Sequence, residues 1–184
     1  MNKLEQLGIG GVNFSIHCDE SVDFPEKKDP GYRKFFGKMA TGAEAIDVTV
    51  RLRAEEIPPP SGQAIFQDPE GWSILAEGEV RRVVLTPPRL DRRLWCGEFS
   101  RGSTDLTVYC GSGLVRIVDG KRRFLNPMAY PLDLLLIMYL LSQRNGAIIH
   151  AAGVELEGKG FIFPGRSGAG KSTLSRQLTA SQAC

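Results

Sequence analysis

The chain has 184 residues, of which 42% are apolar and 24% are charged, and its 23 basic side chains nearly balance its 21 acidic ones. This composition excludes wholesale disorder and suits one domain or slightly more. The formal net charge of +2 excludes a global field that would draw in a polyanion. We therefore expect neither a nucleic acid nor a membrane surface as a partner.

The cysteines and the apolar runs indicate the cellular compartment in which the protein is expected. The four cysteines show no C-x-x-C spacing, and only two histidines accompany them, so a zinc site is not expected. The N-terminus lacks the sustained apolar segment of a signal peptide. The longest apolar run, 132–141, contains Asp133 and is far shorter than the roughly 20 residues of a membrane-spanning helix. These features predict a soluble, cytoplasmic protein.

The first 125 residues predict a domain of strands and turns. Residues 46–52 alternate cleanly between apolar and polar side chains, and residues 11–17 alternate weakly. The segment 25–42 is rich in charge, glycine and proline and predicts a loop. Short apolar runs separated by turn residues follow at 72–76, 80–86, 94–99, 106–110 and 114–118. This spacing predicts a small antiparallel sheet.

From residue 126 the pattern changes, and a helix is predicted over 131–144. Pro131 suits the first helical turn, and Asp133 complements the helix dipole at that end. Arg144 lies in the last turn, and the Asn145-Gly146 pair supplies a stop signal. Because this segment is apolar on nearly every side, we expect it to be buried on more than one side.

The segment that follows predicts strands, a glycine-rich loop and a second helix. Residues 147–156 favour one or two strands, residues 157–160 a tight turn, and residues 161–164 a short apolar strand. The sequence TLSRQLTA at 173–180 favours a helix. A strand, a loop and a helix in this order are the context in which a phosphate-binding loop works.

Residues 165–172, GRSGAGKS, match the pattern G-x-x-x-x-G-K-[ST] at every fixed position. Gly165 and Gly170 permit positive φ and a close approach of backbone to phosphate. Successive N–H groups before a helix form a nest for an anion, which the helix dipole reinforces. Lys171 supplies charge for the β- and γ-phosphates of ATP, and Ser172 supplies a hydroxyl for Mg²⁺. The predicted ATP-binding residues are Gly165, Arg166, Ser167, Gly168, Ala169, Gly170, Lys171, Ser172 and Thr173, with Ser172 as the metal ligand.

A kinase or ATPase also needs an acidic side chain that holds Mg²⁺. Only 12 residues follow Ser172, which is enough for one helix, so such an acid must lie upstream or be absent. Asp119, at the end of an apolar run, is the best upstream candidate, although an aspartate before glycine is more often a turn former. Asp105 and Glu77 are no better placed.

The segment GAIIHAAGVELEGKGFIFPGRSGAGKSTLSRQL resembles the phosphate-loop region of HPr kinase/phosphorylase and its relatives, which share a nucleotide site with ATP-dependent phosphoenolpyruvate carboxykinase. The resemblance covers about residues 146–180 and is closest to HPr-kinase-like proteins encoded beside peptide-modification genes. It implies that 165–172 binds ATP and Mg²⁺. It also implies that His150 matches the family's histidine near the reacting phosphoryl group, which makes His150 the candidate catalytic residue. By itself, a lone histidine on a strand is more often a core residue.

The resemblance implies a serine/threonine phosphotransferase that acts on a small protein or peptide in its full-length form. The family's acidic catalytic residues lie on a strand after the phosphate-loop helix, and the sequence ends before such a strand, so we expect the N-terminal part of a longer kinase. Two alternatives stay open. One is a non-catalytic module that binds a peptide or protein and keeps a vestigial loop, and the other is a fragment of an ABC-type ATPase.

The fold class predicted from these features is α+β. We expect a strand-rich domain over 1–125 with a small mixed or antiparallel sheet, one buried helix, and then the incomplete start of a P-loop, HPr-kinase-like nucleotide-binding domain within 126–184. A strand pair and helix without sheet neighbours would expose an apolar face, so the sequence predicts self-association. The residues expected on that face are Phe161, Ile162, Phe163, Leu174 and Leu178.

Overall fold

The structure is a computed structural model, and it describes residues 3–19, 22–23, 35–43, 45–125, 127–128 and 132–181. The chain forms two compact units, Met1–Leu135 and Leu136–Cys184. Much of the segment 25–42, which the sequence predicts as a loop, lies outside the described residues, as do Pro131 and Cys184.

The first unit is built on one eight-stranded mixed sheet. Its strands, in chain order, are β1 (Lys3–Ile9), β2 (Val12–Cys18), β3 (Ile46–Arg53), β4 (Gln63–Gln67), β5 (Trp72–Glu77), β6 (Val80–Leu85), β7 (Trp95–Ser100) and β8 (Asp105–Cys110). Their order across the sheet is β1-β2-β3-β8-β7-β6-β5-β4. Strand β3 runs parallel to both β2 and β8, and the other neighbours are antiparallel.

The sheet is therefore mixed, which is one of the two types expected, but it is larger than the small sheet that the sequence predicts. Short connections join β1 to β2 and each strand from β4 to β8 to the next, and short connections produce antiparallel hairpins. Long connections precede β3 and separate it from β8, and only long connections allow parallel neighbours. The alternation within β3 is confirmed, because Ile46, Val48, Val50 and Leu52 are buried while Asp47 and Arg51 are exposed.

A small hairpin follows the large sheet. A single 3-10 turn (Ser112–Leu114) leads into β9 (Val115–Val118), which pairs with β10 (Lys121–Phe124). Asp119 and Gly120 form the turn between them, with φ of 52° and 71°. Consecutive positive φ values at an Asp-Gly pair are typical of a two-residue hairpin turn. Asp119 therefore acts as a turn residue.

The core of the first unit contains the thiols of Cys96 and Cys110, which are almost fully buried. Burial raises the pKa of Cys96 from 9.0 to about 11, and it raises that of Cys110 further. Because the thiolate is the reactive form, we expect iodoacetamide at pH 8 to alkylate Cys96 about a hundredfold more slowly in the native protein than in urea. Peptide mapping by mass spectrometry measures both rates. Equal rates in the two solvents would contradict the burial of this thiol.

Helix α1 (Leu132–Ser142) ends where the sequence predicts a stop. Asn145 adopts φ of 54°, and the Gly146 N–H donates to the Leu141 carbonyl at 2.9 Å, which closes the helix end. The side chains of Leu132, Leu136 and Leu140 are buried, whereas Met138 is 52% exposed. The fully buried residues form a single stripe at intervals of four, and Leu134, Leu135, Ile137 and Leu141 on other sides of the helix are half-buried.

The second unit contains a two-stranded hairpin and a helix. Strand β11 (Ala151–Leu156) pairs antiparallel with β12 (Lys159–Pro164) through a tight turn at 157–158. Helix α2 (Lys171–Ser181) follows and packs against β11. Neither helix in the described ranges is both long enough and apolar enough to cross a bilayer.

The expected α+β fold, ending in the start of a P-loop nucleotide-binding domain, is wrong. The described residues are dominated by strands and contain two helices, and the sheet with most strands lies in the first unit. Strand β12, which precedes the glycine-rich loop, pairs only with the antiparallel β11 among the described residues. A phosphate-loop domain instead sets its loop after a strand of a largely parallel sheet. The eight-residue signature specifies a local turn, and it does not specify the sheet around that turn.

The hairpin of the second unit exposes apolar side chains on both faces. Phe161 pairs with Val154, and Ile162, on the opposite face, pairs with Gly153. Phe161 is 42% exposed and Ile162 is 63% exposed, whereas Phe163, Leu174 and Leu178 are half-buried.

We predict that the chain self-associates through this exposed surface. Its sedimentation coefficient should rise with protein concentration, and Ile162→Ser should weaken that rise because it removes apolar area from the hairpin. Ile65→Ser is the matched control, since Ile65 is 57% exposed on β4 of the other unit. A concentration-independent monomer, or an equal effect of both variants, would contradict the prediction.

Candidate phosphate-binding site

The glycine-rich loop 165–170 connects the end of β12 to the start of α2. The Ala169 N–H donates to the Arg166 carbonyl at 3.2 Å, which closes a turn inside the loop. Gly170 then accepts from the N–H groups of Thr173 and Leu174, at 3.0 and 2.9 Å, and so begins the helix. The predicted sequence of strand, loop and helix is confirmed at this local level.

Two of the loop glycines adopt backbone conformations that side chains disfavour. Gly168 has φ of 81° and Gly170 has φ of 78°. The sequence singled out Gly165 for positive φ, but Gly165 does not adopt it. A Cβ at Gly165 would instead lie 3.3 Å from the Ala169 Cβ and 3.8 Å from the Lys171 side chain. A side chain at position 165 would therefore crowd Ala169 and Lys171, and glycine lets the loop fold closely over this position.

The loop leaves backbone donors open. Within the part of the chain that the structure describes, the amides of Gly168, Gly170, Lys171 and Ser172 donate no hydrogen bond, whereas that of Ala169 does. The glycines are exposed, and Lys171 and Ser172 are the first two residues of α2. Free N–H groups in a turn before a helix carry partial positive charge and bind anions. Four donors of the predicted nest are thus available to a ligand.

Lys171 folds back over the loop. Its Nζ donates to the carbonyls of Gly165 and Arg166, both at 2.8 Å. An ammonium group has three N–H donors, so these two bonds hold its position and leave one donor for a ligand. The charge of Lys171 is therefore kept at the loop by the loop's own backbone.

Ser172 and the remaining loop side chains face solvent. The Ser172 carbonyl accepts from Arg176 Nε at 3.1 Å and from Ser175 Oγ at 3.2 Å, whereas its hydroxyl has no partner among the described residues. That open hydroxyl fits a hard cation such as Mg²⁺, which prefers oxygen ligands and keeps several waters. Arg166, Ser167 and Thr173 are also exposed.

His150 lies directly before β11 rather than on a strand, and it is exposed. Ala151 pairs with Pro164, the residue before the loop. His150 is therefore one step beyond the last pair of the hairpin, at the end where the loop begins. The hairpin brings the candidate catalytic residue and the loop to the same end, although 13 residues lie between His150 and Pro164 in the sequence.

The candidate acidic residues lie elsewhere. Glu155 and Glu157, the acidic residues of 136–181, lie toward the turn of the hairpin, with Glu155 about 13 Å from the loop end along the strand. Asp105 pairs with Arg51 at 2.7 Å. Hydrogen bonds from Ser61 and Arg82 hold the pKa of Glu77 below its ordinary value. Across the described ranges, no group of three or more side chains is arranged to hold a metal.

No family model, no curated protein and no solved structure matches this chain. The resemblance to HPr kinase/phosphorylase therefore depends on the loop and its flanking hairpin. The sequence pattern revealed the loop through the spacing of its residues. It did not reveal a cavity in the first unit, which lies at the carboxyl ends of β3 and β8.

Proposed function

We propose that the loop 165–172 binds the triphosphate of ATP together with Mg²⁺. The observation that supports this most directly is the set of four open amides at Gly168, Gly170, Lys171 and Ser172, beside the anchored ammonium of Lys171. A triphosphate presents several oxygens to such a nest, and each charge-assisted hydrogen bond is stronger than a neutral one.

Each loop residue has a role in this proposal. The amides bind phosphate oxygens, and Gly168 and Gly170 keep those oxygens close to the backbone. Lys171 contacts the β- and γ-phosphates with its remaining N–H, and the Ser172 hydroxyl ligates the metal. Mg²⁺, when bound with the nucleotide, neutralises part of the phosphate charge. Arg166 and Thr173 lie beside the bound phosphates and contribute a guanidinium and a hydroxyl.

We further propose that the protein transfers the γ-phosphoryl group to a serine or threonine of a small protein or peptide in the cytoplasm. The resemblance to HPr-kinase-like proteins supports this activity, and so does the position of His150 at the loop end of the hairpin. The buried thiols of Cys96 and Cys110 suit a reducing compartment. Because Glu155 and Glu157 lie away from the loop, the acid that completes the site comes from outside 136–181.

Calorimetric titration of the chain with ATP and Mg²⁺ tests binding, and incubation with γ-labelled ATP and serine-containing peptides tests transfer. Saturable binding with labelled peptide supports the kinase. Saturable binding without transfer favours the non-catalytic module, which the distance of Glu155 and Glu157 from the loop also favours. Absence of binding at millimolar ATP would overturn both nucleotide binding and phosphoryl transfer, and it would leave the non-catalytic module with a loop that binds no nucleotide.

For a transferring form of the protein, we predict that His150→Ala lowers phosphoryl transfer at least tenfold and changes ATP affinity by less than about twofold. A group positioned for proton transfer contributes about 10²–10⁴ in rate, and His150 is not part of the nest. His17→Ala is the matched control, because His17 lies on β2 of the other unit. Equal transfer rates for the His150 variant and the unmodified protein would remove His150 from the mechanism.

A further inference from the structure

A cavity of about 680 Å³, lined by both charged and apolar residues, opens in the first unit at the carboxyl ends of the parallel strands β3 and β8. Clefts of 300–1,000 Å³ are the usual size of ligand sites. The walls come from 54–57 after β3, 111–113 after β8, 91–93 before β7, and Arg122 on β10.

One wall of the cavity is formed by Asp91, Arg92 and Arg93 and carries a net positive charge. Arg92 and Arg93 line it, and neither makes a hydrogen bond or ion pair that involves its side chain within the described residues. Arg92 lies against the backbone of Gly113, since a Cβ on Gly113 would be 3.4 Å from the Arg92 Nη2 atom. The absence of a side chain at Gly113 therefore gives one guanidinium a place against the cavity wall.

The wall on the β3 side is acidic. Glu55 and Glu56 line it directly after β3, and neither carboxylate pairs with a described residue. Strand β8 lies between β3 and β7, and neighbouring strands are about 4.8 Å apart. The start of β7, which Arg93 precedes, is thus about 10 Å from the end of β3.

The separation of the charges decides the class of ligand. The two charge-bearing segments start about 10 Å apart at the backbone, so a ligand with its two charges on separate side chains matches them better than a free amino acid, whose ammonium and carboxylate are about 3 Å apart. Side chains two residues apart on an extended peptide are about 7 Å apart at their Cα atoms, and long side chains extend that reach. Thr86 and Ser112 add hydroxyl groups to the cavity that can bond a peptide backbone.

We propose that this cavity binds a short extended peptide segment that carries one basic and one acidic side chain two residues apart. Its ammonium group meets Glu55 and Glu56, and its carboxylate meets Arg92 and Arg93, for which guanidinium groups offer a matching fork of donors. The site is built within the first unit, so it does not depend on the loop or on ATP.

The test is an NMR titration of the ¹⁵N-labelled full chain with two peptides, acetyl-Lys-Ala-Glu-amide and acetyl-Gln-Ala-Gln-amide. We expect the charged peptide to shift the amide signals of Gly111, Ser112 and Gly113 in a saturable way, and the uncharged peptide to leave them in place. The double variant Arg92→Gln/Arg93→Gln should weaken binding at least tenfold, and Glu55→Gln/Glu56→Gln should do the same.

Arg101→Gln is the matched control. Arg101 is exposed in the turn between β7 and β8, which lies at the end of these strands away from the cavity. This control should bind the charged peptide as the unmodified chain does, and so should Lys171→Ala. Either of two results would overturn the proposal: no shift with the charged peptide at millimolar concentration, or the same shift in the Arg92/Arg93 double variant. Well-dispersed spectra of the variants establish that each one is folded.

Discussion

Replacing Lys171 with alanine is expected to weaken the binding of ATP and Mg²⁺ by about a hundredfold. The ammonium group makes charge-assisted contacts with phosphate, and each such contact contributes about 1.5–3 kcal/mol, where 1.4 kcal/mol is a tenfold change in affinity. The variant also loses the two bonds by which Nζ joins the Gly165 and Arg166 carbonyls, so the loop is less fixed before the ligand arrives. Isothermal titration calorimetry measures the change.

Lys159→Ala is the matched control for this experiment, because Lys159 is exposed at the far end of the same hairpin. It removes the same charge from the same unit without touching the loop, and its affinity for ATP should stay within about twofold of the unmodified chain, since exposed charges are screened over such a distance. Equal losses in the two variants would mean that binding reflects general charge, and the loop would then have no special part in it.

The substitution Gly71→Ala is expected to destabilise the first unit by about 2–6 kcal/mol. Gly71 has φ of 95°, and a Cβ there would lie 2.2 Å from the Thr86 carbonyl oxygen and 2.8 Å from the Pro88 ring. Backbone strain of this kind costs about 1–3 kcal/mol, and overpacking adds about 1–3 kcal/mol. Urea unfolding followed by tryptophan fluorescence measures the loss, since Trp72 and Trp95 are both strand residues of the large sheet.

The control for Gly71 is Gly78→Ala in the turn between β5 and β6. Gly78 also has positive φ, at 56°, but nothing lies within 4 Å of the position of its Cβ. Only the backbone strain contributes here, so the free energy of unfolding is expected to fall by about 1 kcal/mol. Similar losses for the two variants would mean that the close approach of Gly71 to Thr86 is absent in solution.

Much of the local structure follows from the sequence, because it depends on neighbouring residues. The alternation in β3, the strand before the glycine-rich loop, the helix after it and the stop at Asn145-Gly146 are each specified within a few positions. The pairing of β3 with β2 and β8 is not specified in this way. It joins segments far apart in the chain, and the alternation of a strand is the same whether its neighbour is parallel or antiparallel.

The predicted fold class is wrong for the same reason, since it depends on pairing between distant segments. The residues 165–172 determine a turn with open amides, and that turn occurs here beside an antiparallel hairpin rather than in a parallel sheet. The candidate site was accessible from sequence because all its parts lie within eight residues. The cavity was not, since its walls come from five separate segments of the chain that only the fold brings together. One local signal, the glycines Gly111 and Gly113 directly after β8, marks its position in the sequence.

The proposed function depends on the binding of phosphate by the open amides of the loop. The most direct measurement is the amide spectrum of the ¹⁵N-labelled chain as ATP and Mg²⁺ are added. We expect the signals of Gly168, Gly170, Lys171 and Ser172 to move together and to saturate, while those of Glu157 and Gly158 at the other end of the hairpin stay in place. Unchanged loop signals at millimolar ATP, or shifts spread evenly over the hairpin, would contradict the claim.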